Sequence, residues 1–228
     1  MRNKLFGLLL LSLVPLAGLA QDDDVTVTYD GLVLVEDAEV HAAFIHPDAD
    51  FSVFRRVALL PALVAFRSDW QRRQNRGSRS RNVRASDMER IKEDVADLLN
   101  DVFIEQLEAA GYEVVNDADD DVLILRPAIL DLDVIAPDNR SAGRSRTYTA
   151  TTGAATLLLE LFDSTTGQIL GRAVDRRTAG RSGGFATQSN RVTNRSDARR
   201  EFRVWANQLV EFLDQHYVQA DKPKEAAD

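Results

Sequence analysis

The chain has 228 residues, with 28 basic and 36 acidic side chains, a formal net charge of -8 and no cysteine. A globally acidic chain is a poor nucleic-acid binder, which sets nucleic acid aside as a partner. Without cysteine there is no disulfide framework and no lipidated residue, so a fold of this length must rest on its hydrophobic core.

At the N-terminus, Arg2 and Lys4 precede the apolar run "LFGLLLLSLVPLAGLA", which ends in the small residues Gly18 and Ala20. A positive start, a short apolar stretch and a small-residue end are the pattern of a cleaved secretory signal over residues 1–20. The run is shorter than the roughly 18–20 residues of a spanning helix, and no later stretch is longer. The expectation is a soluble exported protein, periplasmic, with no transmembrane segment. Leu19 stands after "LAG", where a lipoprotein carries its lipidated cysteine, so no lipid anchor is expected.

Residues 21–50 read as an extended lead-in with short possible strands in "VTVTYDG" and "GLVLVEDAEV". His41 and His46, with Asp48 and Asp50 behind them, match no strong zinc spacing and read as a polar turn. A single domain is predicted over 51–218, with a disordered tail over 219–228. Its first strand is "RRVALLPALVAF" at 55–66, where Pro61 removes a backbone donor and favours an edge or a bulge.

Next comes the segment "RSDWQRRQNRGSRSRNVR" at 67–84, with seven arginines and one acid. The helix after it is marked by an S-x-x-E capping box at Ser86 and Glu89 and by Met88, Ile91, Val95, Leu98 and Val102 at helical spacing. Gly111 is its natural stop. Glu89, Glu93, Asp97, Asp101 and Glu105 recur every four residues along it, a ridge of like charges that repel one another by about 0.2–0.5 kcal/mol per pair.

Strands follow in "YEVVN" and "DVLILRPAILDLDVIA", with "DADDD" as the turn between them. Leu130, Leu132 and Val134 alternate with Asp131 and Asp133, which places the two acids on one face. They are weak candidates for a divalent cation or a carboxylate pair. Ion pairing with Arg140, Arg144 and Arg146 is the plainer reading.

The clearest hairpin is "SRTYTATTGAATLLLELFDSTTGQILGRAVDRR", turning at "DSTTG". On its second strand Arg172 and Arg176 share a face while Asp175 points the other way, which suits cross-strand ion pairs. "GRSGG" at 180–184 matches the G-x-S-x-G pattern of serine hydrolases, but its continuation "FATQSN" has no helical pattern. Ser182 is therefore read as part of a flexible loop over 179–195. A last helix carries Phe202, Trp205, Leu209 and Phe212 as its apolar stripe. The architecture expected is α+β, a single antiparallel or mixed sheet with two helices packed on one face and the other face solvated, self-covered or used for binding.

With "VAFRSDWQR", "LRPAILDLDVIAPD", "SAGRSRTYTA", "LELFDSTTGQIL" and "VTNRSDARR" in this order, the chain resembles the exported proteobacterial family of domain of unknown function 3313, over roughly residues 30–215. The resemblance implies an exported envelope protein, often lipid-anchored in that family. It supplies no catalytic residue, and Leu19 departs from its anchoring pattern.

Three readings of the arginine segment follow. In one it is structural, folding over the acidic ridge of the adjacent helix. In the second, Arg67, Trp70, Arg72, Arg73, Arg76, Arg79, Arg81 and Arg84, with Arg140, Arg144 and Arg146, form a non-enzymatic binding or assembly surface for an anionic lipid, a glycolipid or an acidic envelope protein. Trp70 would then anchor the loop or offer a stacking surface. In the third the protein is a hydrolase using Ser182 or the Asp131/Asp133 pair. The second is preferred, with no cofactor and no catalytic residue assigned.

Overall fold

A computed structural model describes residues 26–76, 83–134, 154–178 and 191–217. One mixed sheet holds all eight strands: β1 (Val33–Leu34), β2 (Ala42–Ile45), β3 (Arg56–Leu59), β4 (Leu63–Phe66), β5 (Glu113–Val114), β6 (Val122–Asp133), β7 (Ala154–Asp163) and β8 (Ile169–Thr178). Three α-helices join them: α1 (Trp70–Arg76), α2 (Ala85–Ala109) and α3 (Arg191–Tyr217). The strand order is β1-β2-β8-β7-β6-β3-β5, with β4 also pairing on β6. The α+β class and the single sheet expected from the sequence are what the chain forms.

The centre of the sheet is the antiparallel trio β6, β7 and β8. Its hairpin turn is fixed by Asp163, whose carboxylate accepts from the backbone N–H groups of Thr165 (2.8 Å) and Thr166 (2.9 Å). Gly167 completes the turn at φ +69°, which a side chain would resist. The segment before residue 51 is no mere lead-in, since β2 pairs antiparallel with β8 and carries β1 on its outer edge.

Pro61 does more than mark an edge. The run expected as one strand is two, β3 and β4, both parallel to β6, matching Leu59 with Leu125 and Leu63 with Ala128. Pro127 of β6 lacks an N–H and falls in the gap between those registers, so two prolines interrupt the ladder at one place.

Helix α2 starts two residues earlier than the Ser86–Glu89 pattern implied. Arg84 is its N-cap, and the Asp87 carboxylate accepts from the Arg84 N–H at 3.0 Å, while Ser86 lies inside the helix. At the other end Gly111, at φ +92°, donates to the Glu108 carbonyl and Tyr112 to that of Leu107, the two bonds of a Schellman stop. Helix α3 also begins within the stretch read as a loop.

Both long helices lie on one face of the sheet. Leu99, Val102 and Phe103 of α2 and Trp205, Ala206 and Leu213 of α3 pack with Leu123, Leu125 and Ile129 of β6 and with Leu157, Leu159 and Leu161 of β7. At about 1.5–3 kcal/mol per buried apolar side chain, this layer is the main favourable term for the fold.

Candidate functional site

The arginine segment is not a long loop. Its first half is α1, which the sequence did not advertise because "QRRQNR" carries no apolar repeat. Trp70 supplies the missing anchor. Its ring is fully buried and stacks on Phe66 at 4.1 Å, and its indole N–H donates to the Val134 carbonyl at 2.6 Å. Neither ring face is open for a ligand, so the stacking role for Trp70 is withdrawn. One small core, Trp70 with Val83 and the partly buried Phe66, Met88, Ile91 and Val134, joins α1 to β4, β6 and α2.

Amides secure the same inner face. Gln74 donates to the Val134 carbonyl at 3.3 Å and Gln71 to the Val83 carbonyl at 3.0 Å. Asn75 both accepts from the Val83 N–H (2.7 Å) and donates to its carbonyl (3.2 Å), tying the last turn of α1 to the residue before the N-cap of α2.

Charges fix the helix from the side. Arg73 reaches Asp133 at 2.9 Å and Asp69 at 3.2 Å, and Arg67 reaches Asp69 at 3.3 Å and Asp133 at 3.7 Å. The Asp133 carboxylate beside Arg73 holds that guanidinium more firmly protonated than usual, against a smaller opposing effect of desolvation. Arg67 and Arg73 thus pair with these two aspartates and not with the acidic ridge of α2, while Arg79 and Arg81, which the ridge reading also uses, lie outside the described residues. Among the described residues the ridge finds other partners: Glu105 pairs with Arg199 of α3, and Glu89 pairs with Lys92 at 2.9 Å.

What remains outward is short. Arg72 and Arg76 stand one helical turn apart on α1, both exposed, with no ion pair to another described residue; Arg84 is exposed at the start of α2. Arg79, Arg81, Arg140, Arg144, Arg146 and Ser182 lie outside the described residues.

Asp131 and Asp133 do not form the pair expected on one face. Between Leu130 and Asp133 the register of β6 against β7 slips by one residue, and Asp131 sits there at φ +51°. This bulge breaks the alternation, leaving Leu130 exposed and Leu132 buried in the core. Asp133 is taken by the two arginines. The acidic turn before β6 brings Asp119, Asp120 and Asp121 together, but Arg56 already holds Asp119 at 2.8 Å and also pairs with Asp121.

Two ionic constellations escaped the sequence reading in their full extent. On the face away from the helices, Glu160 of β7 accepts from Arg126 of β6 at 3.0 Å and from Arg172 of β8 at 3.0 Å, and Arg172 reaches Asp30 at 2.6 Å. Only the Arg172 part was legible, from its place in the hairpin. On the helix face, Asp175 is buried and accepts from the Trp205 indole at 2.8 Å, from Arg177 at 2.8 Å and from His41 at 2.7 Å. Burial pushes the Asp175 carboxyl up, but the bonds from His41 and Trp205 and the Arg177 charge outweigh it, and its pKa falls below the ordinary value.

Residues 18–209 match the family model described as protein of unknown function, DUF3313. The chain belongs to this family. Comparison with curated proteins found no match. Among solved structures, the DUF3313 chain is similar to protein XCC0632 from Xanthomonas campestris, at 13% identity over 77% of this chain and 94% of that one, with a TM-score of 0.42. It is also similar to the PelC dodecamer from Paraburkholderia phytofirmans, at 13% identity over 71% and 91% of the two chains and a TM-score of 0.37. A minor lipoprotein from Acinetobacter baumannii matches at 12% identity over 71% and 92%, with a TM-score of 0.33. None of the helices of this DUF3313 protein, among the described residues, is long and apolar enough to cross a membrane.

Proposed function

We propose that this DUF3313 protein is a non-enzymatic binding module of the cell envelope that presents α1 to a phosphate-bearing lipid or glycolipid surface. The observation that carries the reading is the division of labour within one short helix. Trp70, Arg67 and Arg73 hold α1 to the body through a buried ring and ion pairs, while Arg72 and Arg76 are exposed with no ion pair to another described residue. Guanidinium groups grip phosphate through paired N–H donors, and a fixed helix loses little freedom on binding. The cleaved leader expected at residues 1–20, which lie outside the described residues, would place the chain where such headgroups occur.

The outward face of α1 is polar throughout, so contact stays at headgroup depth and does not extend into the bilayer. A net charge of -8 on the whole chain makes the contact directional, with α1 toward the surface and the acidic side of α2 away from it. The carboxylate-pair form of the hydrolase reading is weaker, because Asp133 is already paired and the bulge separates it from Asp131, while Ser182 lies outside the described residues.

The test is co-sedimentation with vesicles of phosphatidylglycerol in phosphatidylcholine, for the unmodified protein and for Arg72→Gln/Arg76→Gln. Roughly 1 kcal/mol per arginine near an anionic surface means a loss of roughly 30-fold for the double variant. Equal binding of both proteins, or none by either at low salt, would remove the lipid reading.

A further inference from the structure

The exposed arginines of α1 have a neighbour on a second element, and Val83 fixes its place. The Val83 side chain is buried with Trp70 in the small core under α1. Its backbone is held from the same helix: Asn75 accepts from its N–H at 2.7 Å and donates to its carbonyl at 3.2 Å, and Gln71 donates to that carbonyl at 3.0 Å. Gln71 and Asn75 stand one turn apart, so the residue before Arg84 is clamped along one flank of α1. Arg84 begins α2 from that clamp and is exposed.

The clamp limits how far apart the cations stand. An asparagine side chain bonded to both backbone groups of one residue keeps the two Cα atoms within about 8 Å. One Cα step of about 3.8 Å on each side then keeps Arg76 and Arg84 within about 16 Å, and Arg72 is one helical turn from Arg76. Two extended arginine side chains with a phosphate between them span that distance. Arg72, Arg76 and Arg84 are all exposed, and none has an ion pair to another described residue. The acids close by are engaged elsewhere. Asp87 accepts from the Arg84 N–H at 3.0 Å and pairs with Arg90 at 3.7 Å, while Asp69 and Asp133 hold Arg67 and Arg73.

Three guanidinium groups suit one kind of phosphate better than another. Each presents paired N–H donors to an oxyanion. A phosphodiester headgroup offers two free oxygens and a single negative charge, which Arg72 and Arg76 can meet by themselves. A phosphomonoester offers three free oxygens and a charge of about -1.5 to -2 at pH 7. Only there does a third guanidinium find an oxygen of its own.

We infer, on the reading of α1 as a headgroup-binding element, that Arg84 completes a three-arginine site across α1 and α2 that selects a phosphomonoester over a phosphodiester. Arg84 is the residue that discriminates. Its backbone is already fixed through Val83, so little order is lost when its side chain engages the ligand.

The test is co-sedimentation of the full chain with phosphatidylcholine vesicles carrying either phosphatidic acid, a monoester, or phosphatidylglycerol, a diester, mixed to the same surface potential. Equal potential removes the general attraction between cations and an anionic surface, so a difference reports the headgroup. The unmodified protein is expected to prefer phosphatidic acid by at least about fivefold. Arg84→Lys keeps the charge and loses the fork, so it should bind phosphatidylglycerol as before while its preference falls below about twofold. Its melting temperature should not change, because the exposed side chain is not what caps α2; the Arg84 N–H is. Glycerol 3-phosphate separates the two sources of this chemistry. Displacement from phosphatidic acid vesicles by the soluble monoester, lost in Arg84→Lys, supports the selection with a free ligand; preference without displacement supports it with a lipid. Equal binding to the two vesicles overturns the inference and leaves the binding role of α1 standing. A preference that Arg84→Lys retains in full also overturns it. No binding to either vesicle at low salt removes both.

Discussion

At the residue scale, two buried polar contacts set the chain's local order. Trp70 combines a fully buried ring with a satisfied indole N–H, and its removal leaves a void and takes from the Val134 carbonyl the shorter of its two side-chain donors, Gln74 remaining at 3.3 Å. Trp70→Ala is expected to cost about 3–5 kcal/mol in urea unfolding. Trp70→Phe keeps the stack on Phe66 and loses the hydrogen bond, so its cost should be near 1 kcal/mol, within about a factor of two. If both variants unfold like the unmodified protein, α1 is not anchored as described.

Asp175 is the second case. Its carboxylate joins β8 to α3 through Trp205 and to the residue before β2 through His41, and its pKa is lowered on folding. A group depressed in the folded state stabilises above its unfolded pKa, near 3.9, and loses that contribution as pH falls through the folded value. Asp175→Asn should therefore be less stable than the parent at pH 7, by about 1–3 kcal/mol. The gap should narrow below about pH 4, where the parent's own carboxylate begins to protonate. A gap constant between pH 7 and pH 3 would mean that the Asp175 charge does not matter.

At the element scale, α1 separates two kinds of arginine within four positions. Arg73 is bound to Asp69 and Asp133, whereas Arg72 points away. Arg73→Gln should lower the melting temperature and raise protease sensitivity near residues 77–82, while Arg72→Gln should leave both unchanged. Limited proteolysis followed by mass spectrometry decides between them. Equal sensitivity in the two variants would mean that Asp133 does not position α1.

The same scale shows what the sequence could announce. Helix α2 was legible because Met88, Ile91, Val95, Leu98 and Val102 keep one period for about four turns, and the hairpin of β7 and β8 because Asp163 and Gly167 have few other uses in a turn. Helix α1 was hidden, since its single apolar residue matters only after β4 and β6 have built a pocket for it. The bulge at Asp131 was hidden for a similar reason: strict alternation is the local expectation, and only the pairing with β7 forces the extra residue out. The ionic square of the candidate site joins Asp133 to Arg73 and Arg67, 60 and 66 positions away, and nothing in the neighbourhood of Arg73 names Asp133 as its partner.

At the scale of the whole molecule, the sheet separates two surfaces of different character. One side carries α2 and α3 and, beyond them, the exposed acids Glu93, Asp97 and Asp101; the other shows a self-neutralised charge row. Helix α1 lies next to the first turns of α2, so the molecule has a cationic corner against an acidic flank. The binding account needs that corner to be both fixed and free, fixed through Arg67 and Arg73 and free at Arg72 and Arg76. A strand-to-helix connection serving the fold alone would need only the first half.

The most direct measurement compares two double variants, Arg72→Gln/Arg76→Gln and Arg67→Gln/Arg73→Gln, for thermal stability and for binding to anionic vesicles at low and physiological salt. The account predicts that the Arg72/Arg76 variant keeps the melting temperature and loses salt-sensitive binding, while the variant of the ion-paired Arg67 and Arg73 loses melting temperature first. If the Arg72/Arg76 variant binds as the unmodified protein does, or if neither protein binds at low salt, α1 belongs to the fold alone and the binding account is wrong.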